Sequence, residues 1–261
     1  MKKIFIATLM LVCFGNVKAQ FKINTKTIDA TKKAAKAVTF TDADAAAYAK
    51  EAVVWMDSHN PVAAPGDPYA VRLNKLFAAH QTEEGLALNF KVYKVTDINA
   101  FACADGSVRV FSALMDMMSD EELLAIIGHE IGHVKNSDTK DAIKAAYSRA
   151  AGKDLLASQS GVAAALTESQ LGQLAEGLMN SSHSRKQEGQ ADDFSYEFMK
   201  KHAYNVMGAY SAFIKLAKLS EGGPQQTKIE KMMSSHPDSR QRAEAIERKA
   251  KRDGLWKEEK K

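Results

Sequence analysis

The chain has 261 residues, of which 45% are hydrophobic and 26% charged, and this is ample for one packed domain with peripheral helices. Its formal net charge of +4 falls to +1 once the first 19 residues are set aside, because three lysines and no acidic residue lie there. A near-neutral protein gives no electrostatic reason to expect a nucleic-acid partner.

Cysteine is too scarce to cross-link the fold. Only Cys13 and Cys103 occur, so removal of an N-terminal segment would leave Cys103 alone and no internal disulfide would be formed. Neither cysteine belongs to a CxxC pair, which excludes a zinc site built from cysteine ligands.

Residues 1–19 have the pattern of a secretory signal peptide. Lys2 and Lys3 precede a short apolar run at 4–14, and a small residue, Ala19, stands at the expected cleavage site. The run is too short to span a membrane comfortably, and no later stretch has the ~20 apolar residues that a membrane helix needs. We therefore expect an exported mature chain without an integral membrane span.

Two alternatives remain open for this N-terminal segment. It could be kept as a membrane anchor, or Cys13 could carry a lipid. Lipid attachment is disfavoured because Val12 precedes the cysteine, where a bacterial lipid-attachment motif prefers a small residue.

The rest of the chain divides into three predicted regions: a loosely structured leader at 20–40, a folded domain at 41–255 and a charged tail at 256–261. Two helices begin the domain. Thr41 can cap the first, which is expected to run through about Asp57. Asp67 followed by Pro68 starts the second, through about His80.

Residues 88–111 form the only convincing β region. Two short segments, 99–103 and 108–111, flank Asp105-Gly106, a residue pair that favours a hairpin turn. After Ser112 the pattern predicts helices throughout, at 113–118, 120–135, 138–150, 167–181, 184–203, 206–219 and 237–252. The predicted fold class is α+β, a mostly helical body with a small antiparallel sheet.

One of these helices contains His129-Glu130-Ile131-Gly132-His133, an HExxH pattern. Histidines four residues apart lie on one side of a helix, so both imidazoles can bind one Zn²⁺ while Glu130 faces the open position of the metal. Ser119 and Glu122 form a capping box at the start of the helix. The alternative is a helix with partly buried histidines and an exposed glutamate, which would be costly in an apolar stripe.

A catalytic zinc needs a third protein ligand. The remaining histidines are His59, His80, His183, His202 and His236. A better candidate is Glu188, because Glu188 and Asp192 lie four residues apart on a predicted helix and both can face the metal helix. Asp192 would then accept the outer N–H of a ligand histidine and fix its tautomer. The alternative is a surface helix that carries two like charges.

Taken together, these motifs resemble the HtpX-like zinc metallopeptidases, the family that also contains the CAAX prenyl endopeptidases and the Oma-type proteases. The matching positions are His129 to His133; Ser184, Arg185, Glu188, Ala191 and Asp192; Asn99, Ala100, Phe101 and Ala102 with Gly106; and His236-Pro237 with Arg242. They follow the family's order over roughly residues 70–250. Cys103-Ala104-Asp105 and Ala243 depart from the family pattern, but neither departure concerns the metal ligands.

The resemblance implies a peptidase with one Zn²⁺ per chain, bound by His129, His133 and Glu188. Glu130 would act as general base toward water and then deliver the proton to the leaving amine. Because the chain lacks membrane spans, it resembles the small exported branch of the family. That branch is associated with quality control in the periplasm or at the periplasmic face of the envelope. The expected partners are unfolded or misassembled envelope proteins, and no oligomeric state is implied.

The alternative is a metal-binding periplasmic chaperone that uses the same cleft without cleavage, although the intact Glu130 argues against it.

Three further groups of residues keep open interpretations. The strand Asn99–Ala102 could border the cleft and bind an extended substrate as an added strand, or it could be an ordinary core strand. His236 could stabilise an oxyanion, occupy the open zinc position as a reversible plug, or serve only as a structural residue. Arg185 and Arg242 are expected to brace helices or Asp192 rather than to contact substrate.

Overall fold

The computed structural model describes residues 41–151, 166–222 and 226–257. The predicted signal peptide at 1–19, the predicted leader at 20–40 and residues 258–261 of the predicted tail lie outside the described residues. Within the described ranges, no helix is both long and apolar enough to cross a membrane.

The described chain begins with two helices and two small sheets and continues as a helical body. The first elements are α1 (Asp42–His59), α2 (Pro68–Phe77), a 3₁₀ turn (Ala78–His80), β1 (Thr82–Glu83), β2 (Leu86–Ala87), β3 (Asn89–Tyr93), β4 (Ala100–Ala102) and β5 (Ser107–Phe111). The helical body contains α3 (Ser112–Met117), α4 (Asp120–Lys135), α5 (Asp138–Ala151), α6 (Glu168–Met179), α7 (Arg185–Lys201), α8 (Met207–Ser220), α9 (Gln226–Ser235) and α10 (Ser239–Arg252). The predicted α+β class is confirmed, and α9 lies where the sequence pattern predicted no helix.

The larger sheet has three strands in the order β3-β5-β4. β4 and β5 form the predicted antiparallel hairpin, whereas β3 pairs with β5 in parallel, so the sheet is mixed rather than purely antiparallel. Gly106 lies in the hairpin turn with φ of 84°, and a Cβ atom there would lie 1.9 Å from the carbonyl oxygen of Ala87. Glycine is therefore required both by the backbone conformation and by the close approach of the chain before β3.

Helix α4 lies at the centre of the fold. Every residue from Glu122 to Val134 is buried, and the helix contacts α7, α8 and β4. Its start is fixed by the predicted capping box, in which Ser119 N donates to Glu122 Oε2 at 2.7 Å and Ser119 Oγ accepts from Glu122 N at 3.3 Å. The HExxH motif thus lies on a helix whose residues are buried from Glu122 to Val134.

Helix α7 comes unusually close to α4 because α4 has a glycine at the point of contact. A Cβ atom on Gly132 would lie 3.0 Å from Ala191 Cα and 3.1 Å from its carbonyl oxygen. This distance leaves no room for a larger side chain without movement of the α7 backbone. Because Glu188 lies one turn before Ala191, the close packing brings its carboxylate to the histidines of α4.

A second apolar cluster joins α1, α5 and α6 to the sheet. Arg109 of β5 is only 2% exposed and pairs with Asp57 of α1 at 2.8 Å (Nε to Oδ1) and 3.0 Å (Nη2 to Oδ2). Lys91 and Tyr93 bind the same carboxylate. This ion pair is the main polar link between α1 and the sheet.

Candidate metal centre

Three predicted ligands converge between α4 and α7. His129 Nε2 and His133 Nε2 lie 3.0 Å apart, and Glu188 places its carboxylate oxygens 3.5 Å from the first and 3.4 Å from the second. All three side chains are buried. The separations are close to the ~3.3 Å edge of a tetrahedron with zinc–ligand bonds of about 2.0–2.1 Å. The structure therefore brings together two imidazoles and one carboxylate in an arrangement that a zinc ion can bind.

The hydrogen bonding of this cluster also fits a cation. Glu130 Oε1 is buried and accepts no hydrogen bond among the described residues. Buried carboxylate oxygens without a donor are costly and rare in native proteins. The two facing Nε2 atoms of His129 and His133 also leave at least one lone pair that a metal ion would satisfy. The donor atoms present are those that suit zinc.

Glu130 lies beside the ligand atoms rather than among them. Its Oε1 is 3.5 Å from His236 Nε2, and burial raises the pKa of its carboxyl group above the usual range. A raised pKa makes a carboxylate a stronger base near neutral pH. Position and pKa both suit a group that accepts a proton from water.

Asp192 has the orienting position that its spacing predicted. Its Oδ1 lies 2.9 Å from His129 Nδ1, which leaves Nε2 of that histidine for the metal. Burial, followed by the nearby Arg242 guanidinium, holds the pKa of His129 well below its usual value. The imidazole is thus in the neutral form that metal binding requires.

The two predicted arginines have different surroundings. Arg242 is buried and contacts both Asp192 (Nε to Oδ2, 2.9 Å) and the ligand Glu188 (Nη1 to Oε2, 2.7 Å). Arg185 is 83% exposed and pairs with Asp238 at 2.9 Å, so it joins α7 to the start of α10 but does not reach Asp192. Arg242 is part of the metal centre, and Arg185 is a surface brace.

Two further residues beside the ligands were given no role by the sequence pattern, although His183 is among the histidines considered as a third ligand. Asp138 Oδ2 lies 2.9 Å from His133 Nδ1, and its other oxygen accepts a 2.9 Å hydrogen bond from Gln187 Nε2. His183 stacks on His133 with ring centroids 3.8 Å apart, and burial lowers its pKa to about 3. The signal in the sequence was an acidic residue five positions after the second motif histidine, at the start of the next helix.

His236 lies within the ligand cluster. Its Nδ1 atom is 3.2 Å from His129 Nε2 and 3.1 Å from Glu188 Oε1, and its side chain is buried at the end of α9. Together with His133, these residues form a group of four whose ligand atoms lie within 4.8 Å of one another. The structure therefore brings four, rather than three, potential ligands to one point.

The predicted substrate strand is β4, at one edge of the three-stranded sheet. Asn99 C=O accepts from Phe111 N–H, and Cys103 N–H donates to Ser107 C=O, so these two residues bond toward β5. Because the backbone alternates, the backbone groups of Ala100 and Ala102 point away from β5. Asn99 Oδ1 covers one of them, the Ala100 N–H, at 2.9 Å.

Comparison with known proteins decides the family. The profile of peptidase family M48 matches residues 72–250, a range that contains the three predicted ligands and both acidic partners of the histidines. The chain belongs to peptidase family M48. The predicted HtpX-like relationship is thereby confirmed.

Named relatives of this M48 peptidase agree with that assignment. Metalloprotease YcaL of Escherichia coli is 43% identical over 212 residues, which cover 81% of this chain and 82% of YcaL. Metalloprotease LoiP of the same species is 38% identical over 224 residues, or 85% of this chain and 87% of LoiP. A protease HtpX homolog of Methanothermobacter thermautotrophicus is 48% identical over 44 residues, 15% of this chain. This M48 peptidase is a metal-dependent protease.

Proposed function

We propose that this M48 peptidase is a zinc-dependent endopeptidase whose metal ligands are His129, His133 and Glu188. The observation that carries the proposal is the convergence of these side chains beside Glu130, whose Oε1 is buried without a hydrogen-bond donor. A zinc ion held there would supply a Lewis acid that polarises the scissile carbonyl and acidifies a water molecule.

The protein's own residues transfer the proton, orient the ligand histidines and balance the buried charge. Glu130 Oε1 accepts a proton from the attacking water and returns it to the leaving amine. Asp192 and Asp138 accept from the outer nitrogens of the two ligand histidines and keep each Nε2 free for the metal. Arg242 neutralises part of the negative charge of Asp192 and Glu188, which makes a buried cluster of carboxylates tolerable.

The edge strand β4 supports an extended polypeptide as the substrate. The outward backbone groups of Ala102, together with the Ala100 carbonyl, can pair with a substrate chain added as a further strand. Recognition through the backbone gives broad sequence tolerance, which suits unfolded proteins. N-methylation of single substrate amides that pair with β4 should raise KM, whereas N-methylation beyond the paired stretch should leave KM unchanged.

His236 is proposed to act at the metal centre. His236 Nδ1 lies among the ligand atoms. This position favours a role in which His236 occupies the open coordination position of the metal over a purely structural role before α10. Its Nε2 also lies near Glu130 Oε1, so the ring contacts both the ligands and the proposed base.

Substrates in the cell envelope and an exported location are proposed from the signal-peptide pattern of residues 1–19. The mass of the N-terminus in protein recovered from cells tests this proposal. Cleavage after Ala19 supports export of a free chain, and an acylated Cys13 supports a lipid-anchored one. An intact Met1 in cytoplasmic protein would contradict export.

Glu130→Gln is the decisive test of the mechanism. The substitution keeps the shape of the side chain but removes its basicity, so casein cleavage should fall by at least ~10²–10⁴-fold while zinc stays bound to His129, His133 and Glu188. Glu176→Gln, on the exposed face of α6, is the matched control and should cleave like the wild type. Retained cleavage by Glu130→Gln would overturn the assignment. If the wild type and Glu130→Gln bind unfolded casein equally and neither cleaves it, the result would favour the non-cleaving chaperone.

A further inference from the structure

A second cluster of metal-binding side chains lies away from the catalytic centre. It contains His80 at the end of the 3₁₀ turn, Glu83 in β1 and His202 at the C-terminal end of α7. His202 and Glu188 are at opposite ends of the same helix, about 20 Å apart along its axis at 1.5 Å per residue. We propose that these three residues form a second site for a divalent transition-metal ion of the zinc type. The proposal does not depend on the proposed function of the first site.

The ligand atoms have the spacing of a metal site. Glu83 Oε2 lies 3.0 Å from His202 Nε2 and 3.5 Å from His80 Nδ1, and all three atoms lie within 4.8 Å of one another. These first two separations are close to the ~3.3 Å expected between neighbouring ligands of tetrahedral zinc. They match the separations among His129, His133 and Glu188 in the catalytic centre.

The hydrogen bonds of His80 are those of a metal ligand. Its side chain is 1% exposed, and Nδ1 has no hydrogen-bond partner among the described residues. Its other nitrogen, Nε2, lies 2.7 Å from the hydroxyl oxygen of Tyr204. A ligand histidine ordinarily donates its outer N–H to such an oxygen and turns the opposite lone pair to the metal. The Nδ1 lone pair of His80 faces Glu83 Oε2 at a distance too long for a hydrogen bond.

The first metal centre also contains a buried polar atom without a hydrogen-bond partner. Within the described ranges, Glu130 Oε1 of the catalytic cluster is buried without a hydrogen bond, as His80 Nδ1 is in the second cluster.

The surrounding charges allow a divalent ion at this second site. Lys201 Nζ binds Glu83 Oε1 at 2.6 Å, which leaves Oε2 to the histidines, and it also binds Glu84 at 2.9 Å. The two glutamates and the lysine carry a net charge of −1. Two imidazoles and one carboxylate suit zinc and similar transition metals rather than magnesium or calcium. The fourth position of such a site is typically a water molecule.

A metal ion there would clamp the end of α7 to the 3₁₀ turn and to β1. Because an ion that binds only the folded protein stabilises it by mass action, zinc should raise the melting temperature even when the catalytic centre is disabled. The test uses the tag-free mature chain, dialysed against zinc, with bound zinc counted by mass spectrometry. The wild type should bind two ions, and His129→Ala/His133→Ala should bind one.

Variants of the second site complete the test. His202→Asn in the His129→Ala/His133→Ala background should abolish both the remaining zinc and the zinc-dependent rise in melting temperature. His59→Asn in that background is the matched control, because it removes a more exposed histidine at the end of α1 and should retain the ion. Glu83→Gln, which preserves the side-chain shape, replaces His202→Asn if that variant does not fold. Folded His129→Ala/His133→Ala protein that binds no zinc, or that binds zinc equally after His202→Asn, would overturn the proposal.

Discussion

Arg242 Nε donates a 2.9 Å hydrogen bond to Asp192 Oδ2, and through this contact α10 reaches the interior of the metal centre. The other oxygen of Asp192 lies 2.9 Å from His129 Nδ1. One guanidinium, more than a hundred residues from the HExxH motif, thus helps to set the orientation of a ligand histidine. Its ring-face contact with Phe213, 4.1 Å from the centroid, holds the guanidinium in place.

Arg242→Met should destabilise the metal-free protein strongly. The change leaves Asp192 and Glu188 buried without their cation, which typically costs about 3–5 kcal/mol of unfolding free energy. Zinc should restore more stability to this variant than to the wild type, because the ion supplies the missing positive charge. Urea unfolding with and without zinc measures both effects. Arg185→Met, which removes an exposed surface pair, is the control and should change little. Similar losses in the two variants would contradict the buried role of Arg242.

Asp138→Ala should weaken zinc binding by about 10–100-fold, because His133 loses the acceptor that fixes its tautomer and ring orientation. Competition with a chromogenic chelator measures the affinity. Asp141→Ala, one turn further along α5 and exposed, serves as the control and should bind zinc like the wild type. If both variants keep wild-type affinity, Asp138 does not position the ligand.

His236→Ala separates the two roles proposed for this histidine. If His236 occupies the open position of the metal most of the time, its removal should raise the initial rate of casein cleavage, on the order of tenfold. A group that stabilises the oxyanion would instead cost about 10²–10³-fold in kcat when removed. The arrangement of Nδ1 among the ligands leads us to expect the increase. His59→Ala removes a more exposed histidine at the end of α1 and should leave the rate unchanged.

Asp57→Asn should destabilise the fold at neutral pH and progressively less in acid. Burial opposes ionisation of Asp57, but its bonds to Arg109, Lys91 and Tyr93 prevail and lower its pKa in the folded protein. Its stabilisation is therefore complete above the unfolded pKa of about 3.9 and is lost as the pH falls through the lower native value. Loss of the partner of the buried Arg109 should cost about 3 kcal/mol at pH 7.

Urea unfolding of wild type and Asp57→Asn at pH 7, 5, 4 and 3 measures this dependence. The difference in unfolding free energy should stay constant down to about pH 4 and shrink below it. Asp193→Asn removes an exposed carboxylate of α7 and should show no comparable difference at any pH. A difference for Asp57→Asn that grows in acid would contradict the sign of the pKa shift.

Features that depend on neighbouring residues were predictable from the sequence. The capping box of Ser119 and Glu122, the hairpin turn at Gly106 and the shared face of His129 and His133 each depend on residues within one or two helical turns or one hairpin. Helical spacing also predicted that Glu188 faces α4, and its carboxylate oxygens lie 3.5 Å and 3.4 Å from the two motif histidines. Such features follow from backbone geometry and local hydrogen bonds, which a short stretch of sequence determines by itself.

Contacts between distant segments were decided by the tertiary structure. A short stretch of sequence does not predict the parallel pairing of β3 with β5, the insertion of Arg242 or the hydrogen bond from His133 to Asp138. Their physical cause is the close packing of α7 and α10 around α4, in which Gly132 permits the approach. Burial at that junction decides which polar groups must find a partner, and it is there that the chain's histidines and carboxylates come together.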